Sequence, residues 1–369
     1  MLKSISRSAI ALLCAQWAAS AGAAGDPSPD PAKQTQQVVA ATTAFLESLD
    51  AAARATTQFP YSPQASAEAP TFKGGKDGRM AFVGEQYGQA VWSNYPVSDV
   101  PRPGQQLGSL TAPQRDAAMR LLRTLLSAPG YQKVIEIMGS DEALAKQGNP
   151  FAAGAGVYTI GVFGTPSATQ PWMVQFGGHH LGLNVTIAGA RGVITPTLTG
   201  AQPALYTANG KTVRALAREN DKAFDLLNAL DDAQRRQAVL NYQVNDLVLG
   251  PGHAGQRIQP EGLKASALNE RQRALLIDLI SEWAGIVNDA YAQPRLAEIK
   301  AGLDDTYFAW SGPLTHAPGR NGSAYYRIQG PKLLIEFSPQ GVGGDSTQHV
   351  HTMYRDPTND YGTALKAGR

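Results

Sequence analysis

Ala324-Tyr-Tyr-Arg-Ile-Gln-Gly-Pro-Lys-Leu-Leu-Ile-Glu-Phe-Ser338 is the stretch whose reading decides the fold class. It reads as two short strands, Ala324 to Gln329 and Lys332 to Ser338, on either side of Gly330-Pro331. Thr306 to Trp310 and His349 to Tyr354 read as strands on its flanks, so the C-terminal part is one β block. Working outward, Val157 to Phe163 and Trp172 to Ile187 are also strand-like, with Val193 to Leu198 after the Arg191-Gly192 turn and a hairpin turn at Asn209-Gly210. Helical spacing occupies other blocks. Ala41 to Thr57 carries Phe45, Leu49 and Ala52, and Pro60 stops it. Thr111 reads as an N-cap, with Pro113 in the first turn, for a helix through Met119, Leu122, Leu125 and Leu126. A second helix follows the Pro129-Gly130 break through Val134, Ile135 and Met138. Val213 to Leu240 and Glu270 to Val287 complete the set. Blocks of helix and blocks of strand, not strict alternation, predict an α+β fold with a largely antiparallel β-sheet core.

Residues 1–24 read as a secretory signal. Lys3 and Arg7 form a positive start, an apolar run from Ala9 continues to Ala19, and Ala21-Gly-Ala23 is a small-residue cleavage pattern. The run is too short to span a membrane. Residues 25–40, rich in Pro, Gln and Ala, are expected to be a mobile leader, and 41–369 a single domain without internal repeats. Of the 32 basic residues, Lys3 and Arg7 fall in the signal, leaving 30 against 30 acidic ones. The mature chain lacks the basic excess of a nucleic-acid binder. Cys14, the only cysteine, also falls in the signal, so disulfides and thiolate chemistry are excluded from the mature protein. The expected location is periplasmic or secreted, with no integral membrane segment in the mature chain.

Four of the six histidines sit in two clusters, His179-His180 and His349-x-His351. Neutral imidazole is the commonest metal ligand and the side chain most easily tuned for proton transfer near neutral pH. If His349, Val350 and His351 are extended, both imidazoles leave one face of the sheet and can chelate one ion. Leu181, Leu183, Val185 and Ile187 alternate with Gly182, Asn184 and Thr186, so His179 shares the apolar face and His180 the polar one. His179 is therefore the weaker ligand candidate and fits a hydrogen-bonded core histidine. Glu336 faces away from Leu333, Ile335 and Phe337, in an otherwise apolar strand, and needs a partner, a metal or exposure. His180, His349, His351 and Glu336 together would suit Zn, Cu, Fe or Mn. The competing readings are a hydrogen-bonded polar layer and metal-free acid–base catalysis.

In Arg355-Asp-Pro-Thr-Asn-Asp-Tyr-Gly362, Asp356 could orient an imidazole or serve as a general acid or base, while Asp360 reads as a turn residue. Trp92, Asn94 and Tyr95 read as core packing ahead of a cleft lining. No P-loop, nucleophile elbow, His-Glu-x-x-His or dinucleotide fingerprint is present.

Three strings, Phe176-Gly-Gly-His-His-Leu-Gly-Leu-Asn184, Tyr325 to Glu336 and His349 to Gly362, together resemble the DUF3500 family, from the helix near Phe45 to Gly362. The resemblance implies that both histidine clusters belong to one family pattern; it carries no activity. Members often extend past the last motif with another histidine, which Lys366-Ala-Gly-Arg369 does not supply.

The expected function is an exported metal-binding protein. It is read first as a metal-dependent hydrolase or oxidoreductase, with His180, His349 and His351 on the ion, Glu336 as fourth ligand or base, and Asp356 as a further catalytic candidate. The alternative is a non-enzymatic periplasmic protein that captures a small ligand or a metal. The expected partner is a small molecule.

Overall fold

The structure, a computed structural model, describes residues 29–62, 70–74 and 80–365. The signal read over residues 1–24 lies outside them. The chain folds as α+β, and most of its strands join one twelve-stranded sheet. In chain order these are β1 (Gln58–Phe59), β2 (Gln105–Gln106), β3 (Thr159–Phe163), β4 (Trp172–Gly178), β5 (Leu181–Ala188), β6 (Arg191–Val193), β7 (Thr197–Ala201), β8 (Leu263–Lys264), β9 (Tyr307–Ser311), β10 (Tyr325–Gly330), β11 (Leu333–Pro339) and β12 (Val350–Arg355). They run side by side as β1-β3-β4-β5-β7-β12-β11-β10-β9-β8, with β2 added to β3 and β6 to β5. Only the β1–β3 pair is parallel. The decisive pairing joins the middle and C-terminal β blocks: β7 lies antiparallel to β12, with Gly200 opposite His351.

Among the described residues, eight α-helices accompany the sheet: α1 (Pro31–Glu47), α2 (Ala51–Ala55), α3 (Ala112–Leu125), α4 (Ala128–Lys146), α5 (Ala217–Ala229), α6 (Asp232–Ala238), α7 (Glu270–Ala284) and α8 (Asp289–Ala301). The best-signalled is α7. Asn269 caps it, accepting from Gln272 N–H at 2.9 Å while its own N–H donates back to the Gln272 side chain. Leu276, Leu279, Ile280 and Trp283 then present one fully buried face. Each such side chain contributes about 1.5–3 kcal/mol on burial.

Strand alternation sorts the sheet into two faces. Leu181, Leu183, Val185, Ile187, Ile335, Phe337, Val350 and Tyr354 join the helices in one large core. Leu198, Leu334 and Met353 point the other way and pack under Trp92, Leu247, Val248 and Leu249, so a small hairpin (Glu85–Tyr87 with Ala90–Trp92) and loops, instead of helices, cover that face. His351, between Val350 and Thr352, belongs to the loop-covered face. So does Glu336, between Ile335 and Phe337.

Five expectations need correction. Arg191-Gly192 lies in β6, not in a turn, and the Ala41–Thr57 stretch holds the end of α1 and all of α2 instead of one helix. Residues 31–40 are not a leader but the first turns of α1. Asp30 caps that helix, accepting from Ala32 N–H at 2.9 Å, and Val38 is fully buried. The Asp-Pro pair is an N-cap and N1 signature, which the Pro, Gln and Ala content obscured. The Trp172–Ile187 stretch is two strands, not one, and the turn between them is His179-His180 itself: Gly178 pairs with Leu181. Finally, the Val213–Leu240 helix splits. Its first residues close a hairpin on Leu205–Ala208, and α5 and α6 meet at Asp231, whose carboxylate caps α6. Helix α8, which contains Pro294 and has little apolar periodicity, was not legible in the sequence.

Candidate metal centre

His180 occupies the second position of the β4–β5 turn with φ 61°. That left-handed conformation is one glycine adopts most easily. A histidine held there points from a backbone outlier toward a function, since the sequence offers glycines next door at 177 and 178. The turn is pinned from three sides. His180 N–H donates to Asn94 O at 3.1 Å, Tyr158 O–H donates to His179 O at 2.7 Å, and the buried Arg102 guanidinium donates to Gly178 O at 3.2 Å and Ser93 O at 2.7 Å. Gly200 on β7 leaves room for the ring. A Cβ there would stand 2.7 Å from Val350 O and 3.2 Å from His180 Cβ.

From the other strand, His349 and His351 leave the same face, as their spacing predicted. The three Nε2 atoms converge. His349 Nε2 lies 3.0 Å from His180 Nε2 and 3.0 Å from His351 Nε2. Nitrogens bound to one tetrahedral ion at about 2.0–2.1 Å stand roughly 3.3 Å apart, close to two of the three separations here, and all three ligand atoms lie within 4.8 Å of one another. His349 Nδ1–H donates to Val342 O at 2.8 Å, which leaves a single lone pair on Nε2. One in-plane lone pair cannot satisfy two neighbours at hydrogen-bond distance; one cation satisfies all three. The three residues are nearly sealed, at 3%, 6% and 8% exposed for His180, His349 and His351. Burial, reinforced by the neighbouring imidazoles, pushes His180 well below the ordinary histidine range and His349 down to about 4. Burial also lowers His351. All three are thus held neutral, the state in which imidazole binds metal.

The covering loops supply the outer contacts. Asn94 Nδ2 sits 3.1 Å from His351 Nδ1, and Asp246 Oδ1 lies 3.8 Å from the same nitrogen. At 3.8 Å that carboxylate is outside hydrogen-bond distance and acts on the imidazole through its charge, which favours the protonated ring. Asp246 is itself held by Leu247 N–H at 2.7 Å and the Gln340 amide at 3.0 Å. Its side chain is 67% exposed, so it marks the solvent side of the centre.

The other candidates lie elsewhere. His179 Nδ1–H donates to Asp141 Oδ1 at 2.7 Å, and the ring stacks on His180 with centroids 3.8 Å apart. It is a hydrogen-bonded histidine beside the centre, outside the converging set. Glu336 shares the face of His351 but not its site. Tyr325 O–H donates to it, as do Val248 N–H and Leu249 N–H, each at 2.9 Å. Burial raises its pKa, and these three donors pull in the opposite direction. Glu336 therefore anchors the loop that carries Asp246. Strand alternation placed it on the correct face, but two residues along the strand from the ligands. Asp356 pairs with Arg295 at 2.9 Å and caps Thr358, without reaching the triad. Asp360 pairs with Arg355 at 2.8 Å. Trp92 is core, as expected, whereas Asn94 beside it reaches the site. Asp246 and Gly200 escaped sequence reading altogether: nothing periodic marks a loop carboxylate, and a glycine in a strand does not announce which ring it admits.

Two expectations follow from this geometry. Gly200→Ala should displace the His180 ring and weaken metal binding by about 10–100-fold, the range seen when ligand orientation is disturbed. A competition titration against a chromophoric chelator would show it; unchanged affinity would mean the ring has space to move. The second concerns pH. A histidine whose folded pKa is depressed binds fewer protons folded than unfolded, so stability falls as pH drops. For the metal-free protein, the triad's contribution should be intact above the unfolded value of about 6.5. It should be lost as pH falls toward about 4, where His349 protonates in the folded state. Melting temperatures from pH 8 to pH 4, compared with a His349→Ala, His351→Ala variant, isolate this slope. Parallel curves would contradict it.

The chain belongs to the DUF3500 family, described as a protein of unknown function, which matches residues 76–363. The matched span contains both histidine clusters, Asn94 and Asp246; helix α1 precedes it. No curated protein and no solved structure matches the chain. No helix among the described residues is long and apolar enough to cross a membrane.

Proposed function

We propose that the protein is an exported metalloenzyme in which His180, His349 and His351 hold one divalent transition ion of the Zn, Cu, Fe or Mn group. The supporting observation is the convergence of three buried, neutral Nε2 atoms around one point. Three protein ligands are the pattern of catalytic zinc sites, which keep a position open for water or substrate, whereas structural sites close with four. A bound ion there lowers the pKa of a bound water or polarises a substrate oxygen. The chain's own residues do the rest. Val342 O fixes the tautomer of His349, Asp246 supports His351, and the packed loops keep bulk water from the rings. Asp246, on the open side, is better placed than Glu336 or Asp356 to exchange a proton with a group at the ion. Hydrolysis and oxidation are both open to such a centre. The apolar run at residues 9–19 and a cysteine confined to that segment support export.

Turnover of esters, amides, glycosides and phenols should appear with metal-loaded protein and vanish after chelation. Activity that survives chelation would defeat the enzymatic metal reading. The near-complete burial of the triad favours a second reading, a protein that captures a metal without turning anything over. Metal bound tightly, with no turnover on any substrate of the panel, would select it.

A further inference from the structure

Beside the metal centre, on the His179 side of the His179–His180 stack, lies a separate cavity of about 200 Å³. Its wall is mostly apolar, from Pro96, Val97, Phe151, Ala153 and Val157, and it contains no lysine or arginine. His179, Asp141, Ser98 and Gln106 supply its polar groups. None of the three converging histidines lines it.

His179 is 7% exposed and gives its Nδ1 to Asp141. Asp141 is itself fixed: its other oxygen accepts from Gly154 N–H at 2.9 Å. The carboxylate therefore holds the imidazole in one orientation. In the neutral ring, an Nδ1–H donated to Asp141 leaves the lone pair on Nε2. No hydrogen-bond partner of that nitrogen occurs among the described residues, and His179 is part of the cavity wall. The side chain is more than nine-tenths buried and held in one orientation, its second nitrogen keeps some solvent access, and an acceptor so placed in a largely apolar wall fits a ligand that donates one hydrogen bond and is otherwise apolar.

The charges narrow the class. An anionic ligand would meet no cation, and would face the Asp141 carboxylate behind His179. A cationic ligand would find only the Asp141 carboxylate, which is held behind the His179 ring and already accepts from His179 and Gly154 N–H. The volume admits a single ring with a short substituent. We propose that this cavity is a second small-molecule site for an uncharged phenol or aryl alcohol, its hydroxyl donating to His179 Nε2 and its ring against Val97, Phe151 and Val157. The site stands whether or not the neighbouring triad carries an ion.

Calorimetric titration with phenol and benzyl alcohol tests it, with toluene and benzoate as controls on the full-length protein. The hydroxyl compounds should bind, with toluene and benzoate about tenfold weaker or worse. In 15N-histidine NMR spectra, phenol should move the His179 Nε2 resonance. His179→Phe keeps a ring to stack on His180 but removes the acceptor, and should abolish phenol binding. His349→Ala, His351→Ala should leave it unchanged, which separates this site from the metal centre. Equal binding of phenol and toluene, an unmoved His179 resonance, or phenol binding lost in the triad variant would each overturn the proposal. Should His179→Phe fail to fold, the phenol–toluene comparison and the NMR shift decide the question in the native chain.

Discussion

A His349→Ala, His351→Ala variant is expected to keep its fold and lose its metal. Two of three ligands go, and the remaining imidazole cannot hold an ion alone. Affinity should fall by far more than the roughly 10–100-fold that loss of an outer partner costs. The fold should survive because these side chains contribute little to the sheet. Register between β7 and β12 is carried by backbone pairs from Thr197–Tyr354 to Ala201–Val350, and the one backbone bond lost with the His349 ring is to the exposed Val342. The measurement is the rise in melting temperature on adding metal. At 100 times the dissociation constant, binding should stabilise the native protein by about 2.7 kcal/mol. That increment should disappear in the variant. A polar layer without metal would give the reverse: no increment in the native protein, and a fold that weakens when the histidines are removed.

The second large effect is expected at Arg355, at the far end of β12. Its guanidinium is buried and donates to Glu85, to Asp360 at 2.8 Å, and to the carbonyls of Leu249 at 2.9 Å and Gly250 at 3.1 Å. It also lies over the Trp92 ring, 4.7 Å from the centroid. One residue thus joins the three segments that cover the site's face of the sheet. Glu85 is fully buried, and Tyr361 O–H donates to its other oxygen at 2.8 Å. Arg355→Ala would leave the Glu85 and Asp360 carboxylates buried without their cation, a change that costs about 3–5 kcal/mol. Arg355→Lys should recover only part of this, since an ammonium cannot match the fork that reaches both carboxylates and both carbonyls. Denaturant unfolding of the three proteins would measure it. A loss below about 1 kcal/mol for the alanine variant, the range of exposed pairs, would show that the network is solvated.

Much of this was legible in the sequence because alternation and caps are local signals. The strands at Ala324–Gln329 and Lys332–Ser338 appear within a residue of where they were expected, and the sorting of Leu181, Leu183, Val185 and Ile187 to the helix-covered face follows from period two alone. His349 and His351 converge for the same reason. His180 reaches the site by a different route from the one expected: it is set by a turn at φ 61°, not by alternation within a strand. What the sequence hides is registry between distant segments. The pairing of Gly200 with His351 brings a turn and a strand more than 160 residues apart into one site. No local pattern encodes that, nor the loop that lays Asp246 over His351. Glu336 shows the same limit from the other side. Its face was correct, but its partners are backbone amides of a loop whose path only the tertiary fold defines.

The central claim is that His180, His349 and His351 surround one metal ion. Elemental analysis of protein purified without an affinity tag tests it most directly. The expected result is one transition metal at close to one equivalent per chain, as a single three-histidine site requires. Protein that carries no transition metal, and gains none when dialysed against zinc, copper, iron or manganese, would contradict the claim.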